Sequence, residues 1–300
     1  MTKLKVLTYN IHKGKAPLGI RTSLTSLKEA LQRENADLIF LQEVQGRNDL
    51  ESTLHNQPER LAEALDMHVV YGRNAIRRST DHGNALLSRY PIVYQENQDI
   101  SDHRLEQRGV LHAQVCVNKK NIHCFVVHLG LFKQSRKRQA EAISSRINRL
   151  VKAEEPIIVA GDFNDWTERL SSELMSVLHL EEVFEDEAKR IDAELPTVKL
   201  NFQKGFNEMN LMWQNPELKN RLERLANYMR SDNFKRLTEA FFIERRYYNP
   251  RTFPASFPWL RLDRMYQRGF EIDTTEVLKG RPWNKISDHL PLSAKLKLLE

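Results

Sequence analysis

Residues 157–166, IIVAGDFNDW, run apolar through Ala160 and then place Asp162, Asn164 and Asp165 within four positions. Ile157, Ile158, Val159 and Ala160 are the β-branched and small residues of a strand covered on both faces. The oxygen-bearing side chains after Gly161 therefore stand at the rim of a rigid sheet, where α/β proteins keep their chemistry. A turn in which Asp and Asn cap their own backbone would use the same residues. Four other apolar runs end alike: TYNIH leaves Asn10 and His12, LIFLQEV leaves Glu43, CFVVHLG leaves His128, and ISDHLPL sets Asp288 and His289 just ahead of a closing strand. A single ending of this kind is ordinarily a capped carboxylate or a structural histidine. Five in one chain are difficult to attribute to turns, and carboxylate, amide and imidazole groups together suit a hard divalent cation and acid–base work.

The elements that must position these groups alternate along the chain. Residues 3–9 read as a strand, Leu24, Leu27, Ala30 and Leu31 form a helical stripe after Thr22 and Ser23, and 37–44 read as a second buried strand. Pro58 opens a short helix to Leu65. Residues 69–72 and 85–88 read as paired strands joined by a polar, basic loop over 73–83, residues 109–117 and 122–129 as a hairpin, and 134–152 as a long helix crossing over to the strand at 157. Further strands are expected at 260–268, 271–278 and 290–298. Hairpins mixed with crossovers predict an α/β fold of two packed sheets with helices outside, rather than a simple doubly wound sheet. The stretch 187–249 breaks the rhythm: rich in Lys, Arg, Asn and aromatics, with helices expected at 216–229 and 233–244, it reads as a helical subdomain inserted into a single domain. No internal repeat or Gly/Ser linker marks off an independent domain.

Three hundred residues, 40% of them hydrophobic and 29% charged, make an ordinary globular composition with ample core. The net charge of +6 points mildly toward an anionic partner, be it nucleic acid, a phosphorylated small molecule or an acidic membrane surface, and is equally common without one. Cys116 and Cys124 flank a turn at 118–121; reduced thiols are the expectation, a cross-strand disulfide the alternative, and the spacing makes no zinc site. No apolar leader segment precedes the first strand and no apolar run approaches the ~18 residues of a membrane span, which predicts a cytoplasmic protein. Nothing in the pattern indicates a protein partner.

Taken in order, Tyr9-Asn10, Leu41-Gln42-Glu43, the run from Asn84 to Pro91, His128-Leu129-Gly130, Gly161-Asp162-Phe163-Asn164, Leu262-Asp263-Arg264 and Ser287-Asp288-His289 resemble the endonuclease/exonuclease/phosphatase superfamily. Its members include deoxyribonuclease I, exonuclease III, inositol polyphosphate 5-phosphatases and neutral sphingomyelinases. The resemblance covers 4–166 and 251–298, and the run RTFPASFPWLRLDRMY looks like a bacterial branch rather than any of those enzymes. It implies a four-layer, deoxyribonuclease I-like α/β sandwich, two mixed sheets flanked by helices, and a metal-dependent phosphoesterase.

The residue types suit that chemistry. Phosphodiester hydrolysis needs charge neutralised on the non-bridging oxygens, a water made nucleophilic and a leaving oxygen stabilised. Mg2+ or Mn2+ takes oxygen ligands and keeps several waters, so one or two carboxylates suffice. Glu43 is the expected main metal ligand, with the Asn10 amide oxygen beside it and Asp288 near a second metal position. The resemblance gives Asp162 the attacking water, Asn164 a steadying role, His289 a contact to the scissile phosphate, Asp263 the orientation of His289, and His128 a hydrogen bond to the phosphate. Asn84 is a candidate to orient substrate and Arg108 to add positive charge. A surface ion pair with Arg261 or Arg264 is the alternative for Asp263. For substrate, the basic loop 73–83 and the run ERRYYNPR favour a nuclease. A phospholipid or sphingomyelin phosphodiesterase at an anionic membrane surface is second, with Phe241, Phe242, Tyr247, Phe253, Phe257 and Trp259 to enter the surface. An inositol-phosphate-type phosphatase is third, and a non-catalytic nucleic-acid-binding module is least favoured because Glu43, Asp162 and His289 are all present.

Overall fold

The computed structural model describes residues 2–15, 24–103, 106–165, 170, 177–184 and 250–299. The subdomain expected at 187–249 lies outside them. The strands are β1 (Lys3–Asn10), β2 (Leu38–Asn48), β3 (His68–Ile76), β4 (Thr80–Ser88), β5 (Ile92–Asp99), β6 (Gly109–Val117), β7 (Lys120–His128), β8 (Ile157–Asp162), β9 (Glu181–Glu182), β10 (Asp263–Arg268), β11 (Phe270–Val277) and β12 (Leu292–Leu298). The helices are α1 (Leu24–Glu34), α2 (Gln57–Leu65), α3 (Lys133–Leu150) and the single turn α4 (Trp283–Ile286).

Apolar side chains on both faces of the central strands dictate the layering. In β1, Leu4 and Val6 face one way and Leu7 and Tyr9 the other, all fully buried, and in β2 Leu38 and Phe40 oppose Ile39 and Leu41. Such strands must be covered twice. Leu4, Val6, Leu38 and Phe40 meet Leu111, Ala113, Cys124, Val126, Ile158 and Ala160 in the core between two sheets. Leu7, Tyr9, Ile39 and Leu41 pack under α1, α2 and α4 through Leu27, Leu31, Leu61 and Trp283. On the far side Phe125, Val127, Ile157 and Val159 meet Ala140, Ile143 and Ile147 of α3. The result is the four-layer α/β sandwich expected from the sequence, with sheet orders β11-β12-β1-β2-β4-β3 and β5-β6-β7-β8-β10-β9.

Local readings needed correction in two places, while the expectation of reduced cysteines holds. The basic stretch 73–83 is mostly strand: β3 and β4 continue through it, paired from Arg73↔Gly83 to Ile76↔Asp81, and only 77–79 turn. The edge strand β5 escaped notice because IVYQENQD is largely exposed and carries no apolar alternation. Cys116 pairs with Asn121 and Cys124 with Ala113 across β6 and β7, and both thiols are free. No helix among the described residues is long and apolar enough to cross a membrane.

Candidate active site

Strand register gathers the polar strand ends at one edge of each sheet. In the second sheet Asp162, at the end of β8, sits between His128 of β7 and Asp263 of β10. In the first sheet Asn10 pairs with Gln42, one residue ahead of Glu43. Asn10 then joins the sheets, its Nδ2 donating to Asp162 Oδ2 at 3.0 Å. Glycine is required ahead of Asp162: Gly161 has φ of 151°, and a Cβ there would stand 1.9 Å from the Val127 carbonyl oxygen. Gly161→Ala is expected to destabilise the fold by about 3 kcal/mol or more, read as a lowered urea midpoint at unchanged m.

Asp162 is almost fully buried and its carboxylate is shared widely. Oδ1 accepts the Asn164 backbone N–H at 2.9 Å, made possible by the left-handed Asn164 (φ 49°). Oδ2, besides Asn10, faces His128 Nε2 at 3.6 Å and His289 Nε2 at 3.8 Å. The Asn164 amide donates to the Leu129 carbonyl at 2.9 Å, which ties the turn after β8 to the turn after β7. Burial raises the Asp162 pKa, the Asp263 charge adds to that, and His289 opposes it.

His289 and Asp263 form a buried dyad, with Nδ1 2.8 Å from Oδ2. Burial alone would keep the imidazole neutral, but Asp263 at contact outweighs it and raises the pKa to about 10. The same Asp263 Oδ2 accepts a short hydrogen bond from the Thr252 hydroxyl, and Phe253 lies with its ring centroid 5.0 Å from that of His289. The alternative of a surface ion pair fails: Asp263 has no exposure, and Arg261 and Arg264 both bond Glu182 instead. His128 is held neutral by burial, reinforced by the positive charge of Arg108. Arg108 itself bonds the Leu129 carbonyl at 3.1 Å and Glu106 at 3.1 Å, so it braces the His128 turn as well as charging it.

The metal ligands expected from sequence are less closely grouped. Glu43, with φ of 53°, puts Oε2 2.7 Å from the Lys13 ammonium. Burial works against its ionisation, yet the Lys13 ammonium in contact with it holds the carboxyl well below the usual range. Asp288 stands 3.4 Å from His12 Nδ1 and accepts from the Ser287 hydroxyl at 3.2 Å. The Asn10 amide oxygen accepts the His12 N–H at 3.0 Å. Among the described residues another group is close together: ligand atoms of Asp162, Asp263 and His289 lie within 4.8 Å of one another, and the two carboxylates, rather than the protonated imidazole, are the ones able to take a cation. Asp263 Oδ1 is buried without a hydrogen-bond partner, an unmet acceptor beside a second buried carboxylate. Oxygen donors with excess negative charge fit a divalent cation.

Asn84, expected to orient substrate, has its Nδ2 donating to the Gly109 and Val126 carbonyls at 2.9 and 3.2 Å, which stitches the sheets together. Its Oδ1 is buried without a partner. Sequence reasoning missed Lys13, Thr252 and His82, whose imidazole is pushed down to about 4 by burial and by Lys13. The Gly14 after Lys13 was the one available signal, since a left-handed turn there aims the lysine.

Known proteins give the family and the fold. The chain matches the Endonuclease/Exonuclease/phosphatase family over residues 7–289. The uncharacterized protein YbhP of Escherichia coli K12 is 33% identical over 303 residues, covering 98% of this chain and 96% of that protein. Among solved structures, Danio rerio TDP2 complexed with a single-strand DNA product aligns over 99% of this chain and 100% of its own at 14% identity and a TM-score of 0.60. The mannosyl-6-phosphatase Bt3783 of Bacteroides thetaiotaomicron aligns over 98% and 99% at 18% identity and 0.61. At such identities the two structures speak for the fold. A four-layer sandwich carrying Asp162, Asp263 and His289 at one strand edge, with a match spanning nearly the whole sequence, makes this chain a member of the endonuclease/exonuclease/phosphatase family of hydrolases.

Proposed function

We propose that the chain is a divalent-metal-dependent phosphodiesterase acting on nucleic acid. The observation carrying this reading is the Asp162 carboxylate, held by Asn10 and Asn164 and faced by His128 and the Asp263–His289 dyad. Glu43, with Asn10 and Asp288, would hold Mg2+ or Mn2+, which when bound supplies charge neutralisation on the phosphate. Asp162 orients the attacking water and takes its proton, a role served by a carboxylate whose pKa burial has raised. Asn10 and the Asn164 N–H keep that carboxylate aimed. His289, protonated through Asp263, presents Nε2 to a non-bridging phosphate oxygen, and neutral His128 donates beside it.

Nucleic acid is favoured by exposed Arg47, Arg73, Arg77 and Arg78 on β2 and the β3–β4 hairpin, which leads back to the Glu43 edge. The TDP2 fold neighbour, described with a single-strand DNA product, is consistent with that choice. A phospholipid headgroup is the second reading, because Phe257 and Trp259 are 48% and 37% exposed on the loop whose Phe253 touches His289. The test is parallel hydrolysis of single- and double-stranded DNA, RNA, sphingomyelin and glycerophospholipid vesicles and inositol phosphates, with Mg2+ or Mn2+ and with EDTA. Metal-dependent cleavage of nucleic acid is expected; cleavage confined to vesicles would transfer the same residues to the lipid reading.

A further inference from the structure

His12, Lys13 and Gly14 follow one another with φ of 45°, 57° and 69°. Two of the three carry side chains that disfavour this conformation, so the surrounding structure must enforce it. Gln57, fully buried at the start of α2, does so from behind. Its Nε2 donates to the Lys13 carbonyl at 3.1 Å while its Oε1 accepts the Gln45 N–H at 2.9 Å, and a Cβ on Gly14 would meet that same Nε2 at 2.7 Å. Asn10 does so from in front by accepting the His12 N–H. The turn exists to deliver one side chain: Lys13 Nζ lies 2.7 Å from Oε2 of Glu43, itself in a left-handed backbone. His12 and His128 also stand near the pair, but Lys13 is the group in direct contact with the Glu43 carboxylate. Lys13 is 30% exposed, so its stem reaches solvent even though the Glu43 oxygen it meets is buried. An ammonium on a flexible stem can leave without disturbing the backbone that aimed it.

We propose that Lys13 is the resident counter-ion of Glu43, which a divalent cation displaces on binding, so that Lys13 sets how tightly the site takes its metal. The proposal rests on Glu43 being a metal ligand. It makes Lys13 a positioning residue: it holds the Glu43 carboxylate in place when no metal is bound, and it weakens metal uptake by competing for the same carboxylate oxygen.

Mn2+ binding to the full chain, stripped with EDTA and dialysed, is the test, measured by isothermal titration calorimetry without substrate. Lys13→Met is expected to bind Mn2+ about tenfold more tightly than the unaltered chain, because no competing charge has to be moved. Lys13→Arg, which restores a cation, returns the affinity toward the original value. Metal-free Lys13→Met melts lower than the unaltered chain and gains more in Tm when Mn2+ is added. A lysine with only a structural role would lower Tm equally with and without Mn2+ and leave affinity unchanged or weaker, which overturns the proposal. Glu43→Gln separates the two layers of the argument. If it retains Mn2+ binding, the reading of Glu43 as a ligand fails; if it loses binding while Lys13→Met binds as the unaltered chain does, the counter-ion proposal alone fails. Lys13→Gln, with the same expectations as Lys13→Met, serves should the methionine variant not fold.

Discussion

Replacing His289 with alanine is expected to lower phosphodiester hydrolysis about 10^3- to 10^4-fold at saturating metal. The size follows from the position of the ring. His289 Nδ1 is fixed by Asp263 at 2.8 Å and Nε2 faces the Asp162 carboxylate 3.8 Å away, so in the proposed reaction this imidazolium would stand beside the carboxylate that orients the water and present its charge to the phosphate. Asp263→Asn should approach the same loss, about 10^2-fold or more, because the amide no longer stabilises the imidazolium or fixes its tautomer. Groups that act as a unit are not additive, so the double variant should be no slower than His289→Ala by itself. Single-turnover rates of the two single variants and the double variant measure this. Multiplicative losses would separate Asp263 from His289 and sink the dyad. Some stability goes as well, since Asp263 is left buried with Thr252 for company, and urea midpoints must accompany the rates.

The second large effect is expected from Glu43→Gln, which keeps the shape and removes the charge. Hydrolysis at millimolar Mg2+ should fall about 10^3-fold, with partial recovery as Mg2+ or Mn2+ is raised. Stability should move by less than about 1 kcal/mol, because the partner that loses its ion pair, Lys13, is partly exposed. A metal titration of rate beside a urea melt checks both. Full activity at ordinary Mg2+ would remove Glu43 from the metal and direct attention to Asp162, Asp263 and His289, whose ligand atoms are closer together.

Much of the architecture was legible because burial on both faces leaves its mark in every central strand, as in Leu4 to Tyr9 and Leu38 to Leu41. His128, Asp162, Asn164 and His289 stood out by the abrupt polar end of an apolar run, Asp263 only by family resemblance, and register brings His128, Asp162 and Asp263 side by side. What escaped had no periodic signature. β5 is an edge with little to bury, and 73–83 looked like a loop because an exposed hairpin can be as polar as one. Thr252 reaches Asp263 through a hydroxyl eleven residues away, and Lys13 reaches Glu43 through a backbone conformation that residue type does not announce. The sheet-joining bonds of Asn84 were equally hidden, since nothing in the sequence announces which backbone carbonyls a buried amide will meet.

The sheet order ties the two ends of the fold to one another. β12 lies between β1 and β11, so the outer edge of β1, a central strand, is covered only by residues 292–298, and His289 stands just ahead of them. Loosening β12 would therefore uncover the first sheet and release the loop that carries the imidazole in one step, while β2 and β8, which carry Glu43 and Asp162, keep their own partners.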